Sequence, residues 1–336
     1  MSRKPSKPSD KNKSSNQLLD ALNFLSVISK DEGTPYETHI LLSNKTAVAY
    51  NDTLSAGVLT DIEVYAAPNT KMLLNGMSKC AEDYTLVIDG TKIVVKSGKF
   101  KASIPCIDPS LLSARLPDVP CAVIDDRLKE AFKAMDIIKA EPNAQRIHLL
   151  AFLLNGPSVI TTDGRVLLEY WHGIDLPTLS IPKSVIAPIL KNTKKLTQFG
   201  FSNNSATFFF EDNSWIKSQL YADEFPIGTI QNIMNRDSFP VELPKDFYNA
   251  ISAVAPFSES GNIFFKRNLL CSHNTIEAGA THEVDGLPDG PKYNYRFMMM
   301  VKDYVEKIDF KVSIDDKGYM CFFFGKNIRG VIAGHG

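Results

Sequence analysis

The chain carries an internal repeat of domain size, and this repeat constrains the fold more than any other feature. Residues 86–105 read LVIDGTKIVVKSGKFKASIP, residues 199–221 read FGFSNNSATFFFEDNSWIKSQLY, and residues 310–334 read FKVSIDDKGYMCFFFGKNIRGVIAG. Each copy consists of short β-rich runs separated by Asn, Asp and Gly, which tolerate the positive φ of tight turns. The copies start 113 and then 111 residues apart. Because this period far exceeds solenoid periods, it predicts duplicated domains.

Each copy of the repeat is preceded by amphipathic helix candidates. The predicted helices just before the copies span 69–82, 182–196 and 295–308, and earlier ones span 16–30, 125–140 and 244–255. In 125–140, Leu128, Phe132 and Met135 recur at helical spacing and form an apolar stripe. Pro188 is unfavourable inside a helix and predicts a kink or an early end in 182–196.

These elements predict an α+β fold of three similar domains. Further β runs lie at 38–51, 148–173 and 262–284, between the two helices of each third. The predicted domains are 16–118, 119–238 and 239–336, each with two helices packed on antiparallel β-sheets. Residues 1–15 hold five basic residues against one Asp among prolines and serines, so we expect a disordered basic tail.

The composition of the chain excludes several classes of protein. The net charge is −1, with 37 basic and 38 acidic residues, which excludes a generally basic DNA-coating protein but not one with a single basic surface. No apolar run reaches the ~18 residues that cross a bilayer, and no secretion signal is visible. The five cysteines are scattered without a CxxC pair. We therefore expect a cytoplasmic protein with neither a disulfide scaffold nor a zinc module.

Motifs of the common enzyme classes are missing. No G-x-G-x-x-G, G-x-x-x-x-G-K-[ST], H-E-x-x-H or G-x-S-x-G occurs, and the six histidines lack metal-ligand spacing. We expect no enzyme, cofactor or metal. One alternative is a phage structural or scaffolding protein of repeated β-rich domains, which would form shells or filaments. A single-strand binder would need aromatics clustered among lysines, whereas 208–210 and 322–324 are Phe runs inside predicted strands.

Five short motifs occur in order and in register with the repeat. They are Arg146 and Leu149 before a strand with the turn Thr162-Asp163-Gly164-Arg165, the run Leu179-Ser180-Ile181-Pro182-Lys183, the stretch from Ser218-Gln219-Leu220 to Glu224-Phe225-Pro226, Ser97-Gly98-Lys99, and Tyr293-Asn294-Tyr295-Arg296-Phe297. Together they make residues 16–336 resemble the bacterial-type DNA sliding clamp, the beta subunit of DNA polymerase III. The end of the chain, Ile332-Ala333-Gly334-His335-Gly336, departs from the family's tail. A diverged, phage-encoded member fits these differences.

The resemblance implies a ring and partners. Six domains would place twelve helices around a hole, and helices packed ~10 Å apart give a circle of axes about 38 Å across, or roughly 28 Å clear of side chains. Such a hole accommodates a DNA duplex, so three domains per chain imply a twofold homodimer. The expected partners are double-stranded DNA bound without sequence preference, and a polymerase and clamp loader that bind through short peptide motifs.

Three sets of site residues follow. Sliding requires attraction to phosphates without base contacts, and the candidate DNA-binding residues are Lys71, Lys79, Arg127, Lys129, Lys133, Lys183, Lys191, Lys194, Lys195, Arg296 and Lys302. The candidate dimer interface pairs the strand at 94–104 with acids of the partner, through Lys96, Lys99, Lys101, Ile104, Glu277, Glu283 and Asp285. The residues that the resemblance assigns to a partner-peptide pocket are Leu149, Thr162, Gly164, Arg165, Val166, Leu167, Pro226, Asn294, Phe297, Val331 and Ile332.

Overall fold

The computed structural model of the chain describes residues 14–80, 84–112, 115–139, 146–222, 224–314 and 318–334. Residues 1–13 of the predicted basic tail lie outside the described residues. The α-helices are α1 (Ser14–Leu25), α2 (Pro35–Thr38), α3 (Thr70–Met77), α4 (Asp126–Met135), α5 (Ile186–Lys191), α6 (Ile227–Met234), α7 (Phe247–Val254) and α8 (Tyr295–Met300). Short 3₁₀ turns span Pro109–Leu111, Ile147–Leu149, Lys183–Val185, Ala255–Phe257 and Lys302–Tyr304.

Twenty-one strands are present in the described residues. They are β1 (Leu41–Ser43), β2 (Thr46–Tyr50), β3 (Leu54–Leu59), β4 (Ala67–Pro68), β5 (Thr85–Asp89), β6 (Lys92–Ser97), β7 (Phe100–Ile107), β8 (Pro120–Val123), β9 (Ala151–Thr162), β10 (Val166–Pro182), β11 (Leu196–Phe201), β12 (Ser205–Phe210), β13 (Trp215–Gln219), β14 (Val241–Glu242), β15 (Asn262–Lys266), β16 (Leu269–Cys271), β17 (Thr281–Glu283), β18 (Lys292–Asn294), β19 (Lys307–Ser313), β20 (Tyr319–Gly325) and β21 (Ile328–Ala333).

The repeat predicted from the sequence is confirmed at the level of strands. Its three copies form the antiparallel triplets β5-β6-β7, β11-β12-β13 and β19-β20-β21. Positive φ occurs at turn positions of all three copies, at Gly90, Asn213 and Asn327 among others. Asn and Gly adopt this conformation at little cost, which explains why the turn residues were readable in the sequence.

All six predicted helices are present, but most are shorter than predicted. The Asn69 side chain accepts a hydrogen bond from the Met72 amide (3.0 Å), so Asn69 caps α3. The predicted helix at 182–196 divides into a 3₁₀ turn and α5. Pro188 is the third residue of α5, in the first turn, where a missing amide hydrogen costs no intrahelical bond. Helices α2 and α6 were not predicted.

The chain divides into two compact units. Unit 1 comprises the described residues up to Asp126 together with Ala187–Leu220. Its larger sheet has seven strands in the order β1-β2-β3-β13-β12-β11-β8, and its smaller sheet has the order β4-β7-β6-β5. Strand β13 pairs with β3, so one sheet combines strands from the first and the middle third.

Unit 2 comprises Arg127–Ile186 and Tyr221–Gly336. Its six-stranded sheet has the order β14-β19-β20-β21-β10-β9, and its four-stranded sheet has the order β17-β16-β15-β18. Strand β21 pairs with β10, which brings the last third against the middle third. The boundaries of three sequential domains stay a prediction. No helix in the described residues has the length and apolarity that a bilayer crossing requires.

A glycine lies at each pairing between thirds. Gly57 of β3 is opposite Trp215 of β13, and a Cβ on Gly57 would lie 2.5 Å from the indole ring. Gly330 of β21 is opposite Leu168 of β10, and a Cβ there would lie 2.6 Å from the Leu167 carbonyl oxygen and against the Phe323 ring. These distances are too short for any side chain, so both pairings depend on glycine.

We expect Gly57→Ala and Gly330→Ala each to lower the free energy of unfolding by about 1–3 kcal/mol or more, because overpacking displaces the paired strands. Gly228→Ala is the matched control, since a Cβ on Gly228 in α6 meets no atom within 4 Å. Urea denaturation of the three variants checks this. Equal stability of all three would show that the close approaches do not matter.

Candidate nucleic-acid and partner surfaces

Most of the predicted basic residues are exposed on helices or beside them. In unit 1, Lys71, Lys79, Lys191, Lys194 and Lys195 are exposed. Lys71 forms an ion pair with Asp31 (2.7 Å). Lys191 and Lys194 line a groove of about 650 Å³ beside α1, which Asp20 and Asp212 also line. The acid-free run in the sequence therefore has acidic neighbours in the folded unit.

In unit 2, Arg127, Lys133, Arg296 and Lys302 are exposed and Lys129 is half-buried. The three basic residues of α4 (Arg127, Lys129 and Lys133) are sequence neighbours of its buried residues Leu128 and Phe132, as expected for an amphipathic helix. The Arg127 guanidinium lies close to Gly173, where a Cβ would be 3.4 Å away. Four of these five predicted residues thus have exposed side chains in unit 2.

Lys183 is an exception and corrects the prediction. Its side chain is buried, and its Nζ donates hydrogen bonds to the carbonyl oxygens of Leu149 (2.9 Å) and Thr162 (2.9 Å). The assignment to DNA contact is wrong for this residue, because the ammonium group does not reach solvent. The periodicity of the sequence could not reveal this, since Lys183 lies in the 3₁₀ turn before α5.

Lys183 instead holds together two segments of the predicted peptide pocket. Leu149 ends the 3₁₀ turn before β9, and Thr162 ends β9 itself. Thr162 Oγ1 donates to the Val166 carbonyl (2.8 Å) and accepts from the Gly164 amide (2.9 Å). Asp163 Oδ1 accepts from the Val166 amide (2.7 Å). The Thr-Asp-Gly turn is therefore fixed by its own side chains, and Lys183 fixes the segment beside it.

Helix α6 covers the sheet face next to this turn. Ile230 and Met234 of α6, with Phe225 just before it, are buried in one apolar cluster with residues of both β9 and β21, including Leu153 and Val331. Partly buried apolar side chains border the cluster, namely Tyr221, Ile227, Ile233, Met320 and Phe324. Within residues 225–234, only Pro226 is among the predicted pocket residues. The spacing of Ile227, Ile230, Ile233 and Met234 was the signal that could have revealed the helix.

Some of the predicted pocket residues have accessible surface in the structure, whereas others are buried. Leu149, Gly164, Arg165, Pro226 and Phe297 retain exposed or half-buried surface. Leu167 and Val331 are buried beneath α6 in its cluster, and Thr162 is buried in the turn. Val166 and Ile332 are fully buried, so their assignment to a pocket lining is wrong. Asn294 accepts a hydrogen bond from the Arg296 amide (2.9 Å) and caps α8.

The predicted interface strand of unit 1 has an open edge. Strand β7 pairs with β6 over residues 100–105, whereas β4 pairs only with Cys106 and Ile107. Within the described residues, 100–105 therefore have a partner strand on one side only. Lys96, Lys99 and Lys101 are exposed around this edge. Ile104 is buried, so its assignment to an interface contact is wrong.

The predicted acidic partners lie at an open edge in unit 2. Strand β17 is the last strand of its sheet and pairs with β16. Glu283 belongs to β17, and Glu277, Glu283 and Asp285 are all exposed. The two edges thus carry opposite charge, which favours pairing between strands of different chains.

We expect a pH-dependent contribution of Lys183 to stability. Burial lowers the pKa of Lys183 from 10.5 to about 8, although the Asp163 carboxylate opposes the shift. Between these values the unfolded chain binds a proton that the folded chain has released, so the free energy of unfolding rises with pH. Between pH 8 and 10.5, the free energy of unfolding of the wild type should rise by on the order of 3 kcal/mol relative to that of Lys183→Met.

Urea denaturation at several pH values measures this difference. Lys302→Met, at an exposed position, is the control and should follow the wild type. If the Lys183→Met and wild-type curves run parallel across the window, Lys183 does not carry the buried charge.

No protein-family model matches the chain, and no curated protein matches it. Solved structures do. A Helicobacter pylori beta clamp bound to a DNA ligase peptide is 16% identical, with a TM-score of 0.74 and coverage of 96% of this chain and 99% of that chain. The Pseudomonas aeruginosa DNA polymerase III subunit beta is 12% identical, with a TM-score of 0.76 and coverage of 96% and 98%. The C. crescentus beta sliding clamp is 16% identical, with a TM-score of 0.78 and coverage of 95% and 96%.

These likenesses confirm the α+β clamp fold that the motifs indicated. Each extends over nearly the whole chain on both sides of the comparison, so it does not arise from one shared domain. A phage origin is untested and stays a prediction. At identities this low the comparison establishes architecture, and the chain has the fold of the bacterial DNA polymerase III beta sliding clamps.

Proposed function

We propose that this protein is a DNA sliding clamp, a non-catalytic processivity factor that encircles duplex DNA as a homodimeric ring and tethers a polymerase. The observation that carries the proposal is the clamp fold over 95–96% of the chain at TM-scores of 0.74–0.78. The clamp requires neither a cofactor nor a metal, because it holds DNA by topology. It would act in the cytoplasm of a bacterium or a phage-infected cell.

Contact with DNA would come from the basic residues on the helices and beside them. Lysine and arginine attract phosphates at any sequence by releasing counterions, and the absence of base contacts lets a ring slide. The proposed set is the predicted one without Lys183. Lys191, Lys194 and Lys195 are its densest part.

Ring closure would pair β7 of one chain with β17 of the other. Twofold symmetry then gives two identical junctions, each between a basic and an acidic edge. Free backbone groups along residues 100–104 would find hydrogen-bond partners there. In this proposal the thirds 16–118, 119–238 and 239–336 are the repeated domains, and six of them complete the ring.

Polymerase and clamp loader would bind through short peptides at the surface around Leu149, Gly164, Pro226 and α6. The H. pylori beta clamp is bound to a DNA ligase peptide, which supports peptide recognition on this fold. The half-buried rim and the apolar cluster of α6 suit aliphatic and aromatic anchors.

The test of encirclement is retention on nicked circular DNA followed by linearisation. We expect the loaded protein to remain on circles and to leave after cutting, since only a ring is released by an open end. Retention that survives cutting would indicate ordinary binding. Shells or filaments without retention would instead favour the structural-protein alternative.

Reversal of Lys191, Lys194 and Lys195 to Glu should reduce loading about tenfold or more at moderate salt, because three phosphate-attracting charges are replaced by repelling ones. Rings that do load should still leave only on cutting. The matched control reverses Lys45, Lys307 and Lys326, three exposed lysines on turns or strands. Equal loss in both triple variants would mean that net charge alone decides loading.

Lys99→Glu with Lys101→Glu should raise the dimer dissociation constant about tenfold or more, because like charges would face each other across both junctions. Adding Glu277→Lys and Glu283→Lys to the same chain should restore the dimer. Sedimentation measures the change, against a dimer of twice 37.3 kDa. A quadruple variant no better than the double one would place the interface elsewhere.

A further inference from the structure

A small cavity in unit 1 has no role in the clamp proposal. Its volume is about 270 Å³, near the lower limit of ligand pockets, so it suits one or two side chains better than a large ligand. It lies where the β1–β2 hairpin meets α2 and the segment after β7. Its lining is aromatic and aliphatic, with one guanidinium group.

The repeat explains why this cavity exists. In unit 2, the hairpin of β9 and β10 is covered by the two turns of α6, whose Ile230 and Met234 are buried against it. In unit 1, the described residues between β7 and β8 form only the 3₁₀ turn Pro109–Leu111. The Asp108 side chain accepts a hydrogen bond from the Ser110 amide (2.9 Å) and caps this turn. One turn fills less of the hairpin face than two, and the cavity remains.

One wall of the cavity is α2, which is held in place by hydrogen bonds between Glu37 and the residues just before the helix. The Glu37 carboxylate accepts hydrogen bonds from Lys30 Nζ and from the amide (3.0 Å) and hydroxyl (2.7 Å) of Thr34. These bonds, the one from Lys30 first, lower the pKa of Glu37 to about 2, so the carboxylate stays charged near neutral pH. Tyr36 and His39 at either end of this turn therefore line the cavity in a fixed position.

The opposite wall carries a cation on an aromatic ring. The Arg115 guanidinium lies 4.0 Å from the centroid of the Tyr50 ring, and Tyr50 lies 5.7 Å from Tyr36. The nearby Asp52 carboxylate accepts from the Tyr36 hydroxyl (3.2 Å) and pairs with Lys30 (3.8 Å). Within the part of the chain that the structure describes, Arg115 forms no ion pair with a carboxylate.

Among the described residues that line the cavity, Arg115 carries the permanent charge, and the floor is apolar. Burial lowers the pKa of His39, although a hydrogen bond to the Pro35 carbonyl opposes the shift, so His39 is neutral near pH 7. Leu41 forms part of the floor, and Leu111 at the rim is 68% exposed. An exposed leucine beside a stacked arginine fits a ligand with an apolar group next to an anionic one.

We propose that this cavity is a second peptide site, which takes a partner segment with an aliphatic or aromatic side chain next to an Asp or Glu. The apolar side chain would lie over Leu41 between Tyr36 and Leu111. The carboxylate would accept a bidentate pair from Arg115, whose planar donors match a carboxylate. The site is distinct from the surface around α6 and does not require ring formation.

The test uses the full chain with labelled leucine methyl groups and two probe peptides, acetyl-Leu-Phe-Asp-amide and acetyl-Leu-Phe-Asn-amide. We expect NMR shifts at Leu41, Leu111 and Leu112, with the Asp peptide binding at least about tenfold more tightly than the Asn peptide. Arg115→Gln should remove this preference without weakening the Asn peptide. Arg146→Gln, at an exposed arginine of unit 2, should retain it.

Equal affinity for the two peptides, or a preference that survives Arg115→Gln, would overturn the proposal. So would shifts confined to Leu149 and Leu153, because these residues report on the other surface. Retention on circular DNA is a separate readout. Arg115→Gln should leave it unchanged, and its failure in the wild type would refute the clamp while leaving the peptide preference intact.

Discussion

Antiparallel pairing between different thirds of the chain is the interaction on which the rest of the structure depends. Strand β13 completes a sheet with β3, and β21 completes one with β10. Both pairings need a glycine at the closest approach, Gly57 or Gly330. At the second, Arg329 Nε donates to Glu169 Oε2 (2.8 Å) across the paired strands, and Ser158 Oγ donates to the other carboxylate oxygen (2.9 Å). A buried carboxylate that is fully hydrogen-bonded specifies one register, because a shifted strand would leave it unpaired.

Strand edges that lack a partner strand within the described residues are the ones proposed to pair with another chain. Edges such as β7 and β17 invite pairing with another chain, and natural proteins usually protect them with charge. Here the two edges carry opposite charges, so the same side chains that discourage aggregation of like edges favour one specific junction. The helices take no part in this pairing of strand edges, and they carry basic residues. In this account the duplicated fold supplies shape, while charge on edges and helices supplies partner choice.

The sequence predicted the repeated strand triplets well, because their turns need residues that accept positive φ, such as Gly90 and Asn327. The sequence-based predictions were wrong where tertiary contacts determine whether a side chain is buried. Lys183 lies in a basic run, yet two backbone carbonyls hold it inside. Ile104 was assigned to an interface and Ile332 to a pocket lining, yet both side chains are buried. Helix α6 escaped prediction because it is short, and most of its stability comes from packing on the sheet. The cavity of unit 1 could not be predicted, since it results from the difference between two covering segments.

Covalent closure of the ring on DNA tests the central claim most directly. Lys101→Cys and Glu283→Cys, in a background where the exposed Cys121 is serine, would place one thiol on each edge of the proposed junction for a bifunctional maleimide. We expect cross-linked dimers that stay with closed circular DNA in detergent and separate from the same DNA once it is linear. Cross-linked dimers that separate equally from both forms of DNA, or a failure to cross-link two chains at all, would contradict it.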